Sequence, residues 1–341
     1  MRLWRRLRWE LKGLATWASF SHVHGPRLVH LTDDQVALIL VGRDAGYYLA
    51  EHIAHHLDLG VHHVVYVDND STDNSIEIVK KFPCVTIART SSNFRYREGW
   101  IRYFAITRYL RGGWRLAIDP DEIFDFPGSD YLRLPDLVRI LAARGQSAVV
   151  AQMLEMVPPG DLDAAPQGSF AEAIRSFNHY DLRNITRRSY HGSGLHWGNF
   201  LEDNRVTNSE IPVMFGGLRN TVFGENCCLT KHALFRMQPG VRPMRHPHVS
   251  TGLTCADFSA VLKHYKFAGD VVRRESKLLA ENRVAHGETA LRMAKMQGRT
   301  AVDLGSAALE SDPDIEKLLA QGFLQMSPEA RAALSVIGTK P

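Results

Sequence analysis

The stretch that most restricts how this chain can fold is Trp114–Phe126, WRLAIDPDEIFDF. Its apolar run, Leu116, Ala117 and Ile118, reads as a short buried strand. Two aspartates one residue apart, Asp119 and Asp121, follow at once, with Glu122 directly after. Three acids where a strand leaves a sheet repel one another unless solvent or a cation relieves them. Open α/β sheets bind ligands outside the carboxyl ends of their strands. Mg²⁺ and Mn²⁺ prefer oxygen ligands and are usually shared between one or two carboxylates and substrate phosphates. The motif therefore points to a metal–diphosphate site at Asp119 and Asp121, with Mn²⁺ or Mg²⁺ as the cofactor. Asp-Pro-Asp is also good turn chemistry, so the motif alone leaves a solvated turn open.

The surrounding pattern supplies the sheet. Residues 36–41 (VALILV) are an unbroken apolar run suited to a central strand, followed by a turn at Gly42–Gly46. A helix is expected from about Tyr47 to Leu59, with Gly60 as its stop. A strand over His62–Val67 ends at Asp68, and Asp68–Asp73 is a turn and cap before a helix at about Asn74–Lys81. Val85–Ala88 is a third strand, Glu98–Leu110 a helix closed by Gly112 and Gly113, and Trp114–Ile118 the fourth strand. This β-α-β-α-β-α-β order predicts an α/β fold with a doubly wound, mostly parallel sheet and helices on both faces. Further on, Leu134–Ala143 reads as a helix, Ser147–Leu154 as a strand, Pro158–Gly168 as an exposed loop and 170–210 as active-site loops on the acceptor side. One charged helix is expected over 272–298, and one or two short helices over 313–336, starting at Pro328. His52, His55 and His56 have spacings that suit zinc, but they share their helix surface with Tyr48, Leu49, Ile53 and Leu57 and lack an HExxH pattern. Packed and exposed imidazoles are the better reading.

Two long phrases carry a family resemblance. His55–Asp73, HHLDLGVHHVVYVDNDSTD, is similar to the phrase YHLxLGVDHFYIYDNxSTD of the family-2-like glycosyltransferases related to glycosyltransferase family 92. That family's next mark is a strand ending in Asp-x-Asp-Glu-Phe; here it is Asp119-Pro120-Asp121-Glu122-Ile123, with Ile123 departing at the last position. Downstream, Gly216-Gly217-Leu218-Arg219 and Phe223-Gly224 resemble its GGxR…FG segment, Leu229-Thr230-Lys231 its short strand with a Lys, and His246-Pro247-His248 its Gly-x-His. Leu262–Phe267 (LKHYKF) resembles its LxHFKF signature. The likeness spans roughly 36–290, and the family's turn Glu is replaced by Ala45.

The resemblance implies an A-type glycosyltransferase fold and transfer from a nucleoside-diphosphate sugar, a UDP-sugar being favoured, to a glycan or glycolipid. It implies metal ligation by Asp121 directly, a role for Asp119 on the metal through water or on the ribose, and His264 as a third ligand or phosphate contact. Nucleotide contacts are expected from Asp44, Asp68, Arg43, Arg97 and Lys266. An inverting transfer needs a general base, for which Glu225, Asp257 and His248 lie in the right half of the chain. The alternative is a sugar-nucleotide- or glycan-binding module on the same fold without catalysis. A phosphatase of the haloacid dehalogenase type also places Asp-x-Asp after a strand, but it wants Thr or Val where Ile123 stands.

Charge and composition trim the rest. The net charge is only +4, and much of the excess sits in Arg2, Arg5, Arg6, Arg8 and Lys12. A nucleic-acid role is therefore not expected. Leu3, Leu7, Leu11, Leu14 and Ala18 would share one helical face over residues 1–20, a pattern that fits contact with an anionic membrane surface. No run spans a bilayer, no signal peptide is evident, and the four cysteines show no framework, so a cytoplasmic protein, peripheral on the membrane face, is expected. The expected division is a basic amphipathic segment at 1–30, a catalytic domain at 31–290 and a helical extension at 291–341.

Overall fold

The computed structural model describes residues 2–162, 168–195, 197–284, 287–296, 304 and 310–335, with side chains from residue 10 onward. Ten strands form the main sheet: β1 (Phe20–His24), β2 (Val36–Gly42), β3 (His63–Asp68), β4 (Val85–Thr90), β5 (Trp114–Ala117), β6 (Glu122–Asp125), β7 (Ala148–Glu155), β8 (Arg205–Val206), β9 (Thr230–Arg236) and β10 (Thr254–His264). Their order is β1-β4-β3-β2-β5-β9-β7-β10-β8, with β6 alongside β10. The β4-β3-β2-β5 block is parallel, as are β7-β10 and β10-β8; β1, β6 and β9 run antiparallel to their neighbours.

The unbroken apolar run of β2 has a direct cause. Val36, Leu38 and Leu40 enter one apolar cluster, while Ala37, Ile39 and Val41 enter another on the opposite face. Helices cover both faces, so neither set can be polar. The first cluster takes in α2 (Gly46–Asp58), α3 (Ser75–Val79) and α5 (Leu134–Ala143); the second takes in α4 (Phe94–Thr107). A third cluster joins α6 (Phe170–Ser176) and α7 (Leu218–Phe223) to the segment after β10. The mixed α/β sheet with helices on both faces is thus the predicted class.

Two helix boundaries differ from the sequence reading. α4 begins at Phe94, a turn earlier than expected, because the Asn93 side chain accepts from the Arg95 amide at 3.0 Å and caps it. The single charged helix expected over 272–298 is two, α8 (Val271–Ala280) and α9 (Glu288–Met296), with Asn282 between them at φ 53°. Residues 297 and 298 lie outside the described ones, as does the middle of the loop read at 158–168.

The first and last described helices pack on the rest. α1 (Arg2–Ala18) lies against α4, where Gly13 leaves room for the Trp100 ring, and β1 then extends the sheet. Short helices α10 (Ile315–Ala320) and α11 (Pro328–Ser335) follow the sheet. Leu334 of α11 joins the first cluster, Leu318 of α10 the third. Among the described residues no helix is long and apolar enough to cross a membrane.

Candidate active site

The connectivity sets the position of the site. From β2 the chain moves outward to β3 and β4, then α4 returns it to the other side of β2 as β5. The gap beyond the ends of β2 and β5 is therefore a topological switch point, where open sheets take ligands. A cavity of about 490 Å³ opens there, lined by Gly42–Ala45 after β2, Asp119–Glu122 after β5, and His264 and Lys266 at the end of β10. α4 contributes Phe94, Glu98 and Arg102, and α8 and α9 contribute Arg274, Glu275, Leu278 and Arg292.

The two aspartates of the motif have different surroundings. Asp119 Oδ1 pairs with Arg102 at 2.8 Å and Oδ2 with Lys231 at 3.0 Å. Burial raises its pKa, but those two cations outweigh it and hold the carboxyl well below the usual range. Asp121 Oδ2 stands 3.3 Å from His264 Nε2 and 3.9 Å from Lys266 Nζ. Burial again pushes upward, and His264, Lys266 and Arg274 pull the carboxyl down. Glu122 is buried: Oε2 accepts from the Asp119 amide at 2.8 Å and from Lys231 at 2.8 Å, closing the motif turn on itself.

His264 is sandwiched. Its Nδ1 faces Glu155 Oε1 at 2.7 Å, and Glu155 is held in turn by Arg219 at 2.7 Å. Burial lowers the imidazole pKa, but Glu155 and Asp121 together raise it to about 9. A carboxylate behind a histidine whose other nitrogen faces a second carboxylate is the outer-shell pattern of metal-binding histidines. Asp121 and His264 Nε2 therefore fit as two ligands of a divalent cation. Among the described residues no three His, Cys, Asp or Glu side chains converge as a cage, so the other positions would fall to substrate oxygens and water, as Mg²⁺ and Mn²⁺ sites commonly arrange. Asp119, expected as a ligand, instead has each oxygen on a fixed cation.

The remaining expected residues separate clearly. Asp44, at φ 49°, lines the cavity; it accepts from the Thr72 amide at 2.6 Å and pairs with Lys277 at 2.7 Å. Arg43 also lines it and pairs with Glu281 at 2.7 Å. Lys266 lines it beside Asp121. Asp68 does not: fully buried, it accepts from the Ser71 amide at 3.1 Å and shapes the turn, while its neighbour Asn69 reaches the cavity. Arg97 is not among the lining residues either; the later start of α4 in the sequence reading hid that Phe94, Glu98 and Arg102, spaced by four, share the cavity face.

Of the candidate bases, Asp257 is outside the cavity. Arg144 grips it with two bonds of 2.7 and 2.8 Å, Gln146 adds one at 3.0 Å, and the Ser327 hydroxyl donates a fourth. Glu225 is 1% exposed, bonded to Arg292 with Arg219 at 3.6 Å, and is not a lining residue. His248 does line the cavity. The sequence reading missed Arg102, Glu155 and Arg274. Of these, only Arg102 shared a legible signal, its helical spacing from Phe94 and Glu98. Two of the three histidines of α2 are packed, His52 Nε2 meeting the Glu122 carbonyl at 2.7 Å and His56 Nδ1 the His52 carbonyl at 2.7 Å, while His55 is exposed.

No family model matches this chain, and no curated protein matches it. Among solved structures it is similar to a crystal structure of 4-diphosphocytidyl-2C-methyl-D-erythritol synthase, at 16% identity and a TM-score of 0.24. The match covers 41% of this chain and 65% of that one, just under two thirds of its length. A likeness of that size carries no argument about function.

Proposed function

We propose that the protein is a metal-dependent glycosyltransferase that moves a sugar from a nucleoside-diphosphate donor, a UDP-sugar being favoured, to a glycan or glycolipid acceptor. The observation that supports this best is the Asp121–His264 pair, 3.3 Å apart in the cavity at the switch point, with Glu155 behind the imidazole. A cavity of about 490 Å³ falls within the roughly 300–1,000 Å³ usual for small-molecule sites. Asp121 and His264 would hold Mn²⁺ or Mg²⁺. When bound, that cation supplies Lewis-acid stabilisation of the departing diphosphate.

The chain's own residues do the rest. Lys266 and Arg274, beside Asp121, place fixed positive charge where phosphate oxygens would sit. Asn69, Arg43 and Asp44 offer donors and acceptors for base and ribose on the β2 side. Arg43 and Asp44 are paired with Glu281 and Lys277 around α8, so a nucleotide entering there exchanges ion pairs and does not meet bare charges. Residues 1–20 would bring the enzyme to an anionic membrane surface on the cytoplasmic side. The exposed Leu11, Leu14 and Trp17 of α1 suit that contact.

The direct test is a thermal-shift panel of nucleoside diphosphates with and without Mn²⁺. A shift with UDP or GDP that needs metal and disappears in Asp121→Asn is expected. A shift independent of metal, or one kept in Asp121→Asn, would overturn the assignment.

A further inference from the structure

Two kinds of group line the cavity. One set is ionic: the motif acids, His264, Lys266 and Arg274. The other is aromatic: Trp197 stacks on His246 at 5.2 Å and lies 6.2 Å from Phe215. Flat aromatic walls suit the apolar faces of a sugar ring, so the aromatic set fits the acceptor and the ionic set the donor diphosphate. His248 lines the same cavity. Its ring is 6.0 Å from that of His246, and its chain neighbours β9 just where Lys231 reaches Asp119.

The backbone fixes the ring's tautomer. His248 Nδ1 faces the Thr230 carbonyl at 3.2 Å, and a carbonyl can only accept, so Nδ1 carries the hydrogen. That leaves Nε2 with the lone pair. The residue is also pinned along its backbone, since its own carbonyl accepts from the His232 amide at 2.9 Å. The carboxylates closest to the motif are already committed: Asp119 to Arg102 and Lys231, Glu122 to Lys231, Glu155 to His264 and Arg219.

We propose that His248 is the general base of the transfer, with Nε2 taking the proton of the acceptor hydroxyl. This rests on the glycosyl-transfer reading above. In a single displacement the acceptor oxygen forms its bond to the anomeric carbon as the bond from that carbon to the β-phosphate oxygen breaks. The bonding pair leaves on the diphosphate, the hydroxyl proton goes to Nε2, and the configuration at the anomeric carbon inverts. Burial, then the nearby positive charges of Lys231 and Arg102, holds the imidazole's pKa well below its ordinary value against the opposing pull of Asp119, so Nε2 keeps its lone pair at neutral pH.

The test compares wild type with His248→Gln and His248→Ala, using UDP- and GDP-sugars with Mn²⁺ and water or added oligosaccharide as acceptor. Two readouts are needed: nucleoside-diphosphate affinity by calorimetry, and turnover across pH. Turnover of His248→Gln falls by about 10²–10⁴-fold, the usual worth of a positioned base, while UDP or GDP affinity stays within about twofold. The acid limb of the wild-type pH–rate profile disappears, free imidazole restores part of the His248→Ala rate, and the released sugar is inverted by NMR. Wild-type turnover in His248→Gln, retained configuration, or parallel loss of nucleotide affinity overturns the base assignment alone. A wild-type protein that neither binds UDP or GDP with Mn²⁺ nor turns over any sugar nucleotide overturns the transfer reading, and this proposal with it.

Discussion

Lys231 is the place where the architecture can be tested most sharply. Its side chain is fully buried, with Nζ 3.0 Å from Asp119 and 2.8 Å from Glu122. Replacing it with Met leaves those carboxylates facing an apolar side chain. Asp119 keeps Arg102 at 2.8 Å, so the loss falls mainly on Glu122, whose other partner is the Asp119 amide. Removing one partner of a buried ion pair costs about 3–5 kcal/mol, because an uncompensated charge stays inside. With Arg102 still serving Asp119, the lower part of that range, about 3–4 kcal/mol, is expected for Lys231→Met. At roughly 2.1 cal/mol/K of unfolding entropy per residue, the 341 residues convert that to a fall in Tm of about 4–6 °C. Calorimetry and urea unfolding of Lys231→Met, Glu122→Gln and the double variant measure it. The double variant should recover more than half of the single-variant loss, since no charge is then left alone. A Lys231→Met protein within about 1 kcal/mol of wild type, or a double variant whose loss is the sum of the two singles, would refute the reasoning.

Asp257→Asn is expected to destabilise the fold by about 3 kcal/mol, a buried ion pair being broken, while metal-dependent UDP or GDP binding stays unchanged. Burial raises the Asp257 pKa, but Arg144, Ser327 and Gln146 bring it down to about 2. The wild-type advantage is therefore full above about pH 4 and lost as pH falls toward 2, which unfolding curves taken across that window would show. His232 is the opposite residue type with the same sign. Burial lowers its pKa from 6.5 to about 4, and Ser250 and Tyr190 hold the ring at 3.1 and 2.7 Å. Folded protein thus binds fewer protons than unfolded between these values, so stability drops as pH falls from about 6.5 to 4; in His232→Gln that slope should be shallower by about one proton. Finally, Leu14→Glu with Trp17→Glu should weaken sedimentation with phosphatidylglycerol-containing vesicles at least tenfold, given about 1.5–3 kcal/mol for each large apolar side chain buried. Equal pelleting of wild type and variant would remove α1 as the contact.

The sheet was legible because burial on both faces leaves no choice of residue type. In β2 the odd and even positions feed separate cores, so all six residues from Val36 to Val41 had to be apolar. The position of the acids was legible for the same reason: a buried strand must end somewhere, and Asp119 marks where β5 does. Partnerships across long sequence separations were not. Arg144 and Asp257 are 113 residues apart, and nothing in either neighbourhood announces the pair. Arg97 and Arg102 are both arginines of α4, yet Arg102 lines the cavity and Arg97 does not. The charged pattern after Val271 hid its break because Asn282 looks like any polar helical residue until its backbone is seen at φ 53°.

The sequence reading ranks Asp121 above Asp119 for direct coordination, and the structure gives the two different neighbours. Asp119 is paired with an arginine and a lysine, whereas Asp121 has Lys266 at 3.9 Å and, closer, an imidazole at 3.3 Å. Arginine and lysine have no lone pair to offer at neutral pH, so Arg102 and Lys231 can compensate Asp119 but never join it as ligands. An imidazole can give up its proton and turn the freed lone pair toward the same point in space. The His264 ring beside Asp121 has that option, and Glu155 on its far nitrogen keeps the ring oriented while it is exercised. Two carboxylates one residue apart can thus divide the work, one clamping the motif turn through β9 and α4, the other standing beside an imidazole in the cavity where the proposed cation would bind. The division follows from which strand or helix supplies the opposing charge, and that is information a linear motif does not contain.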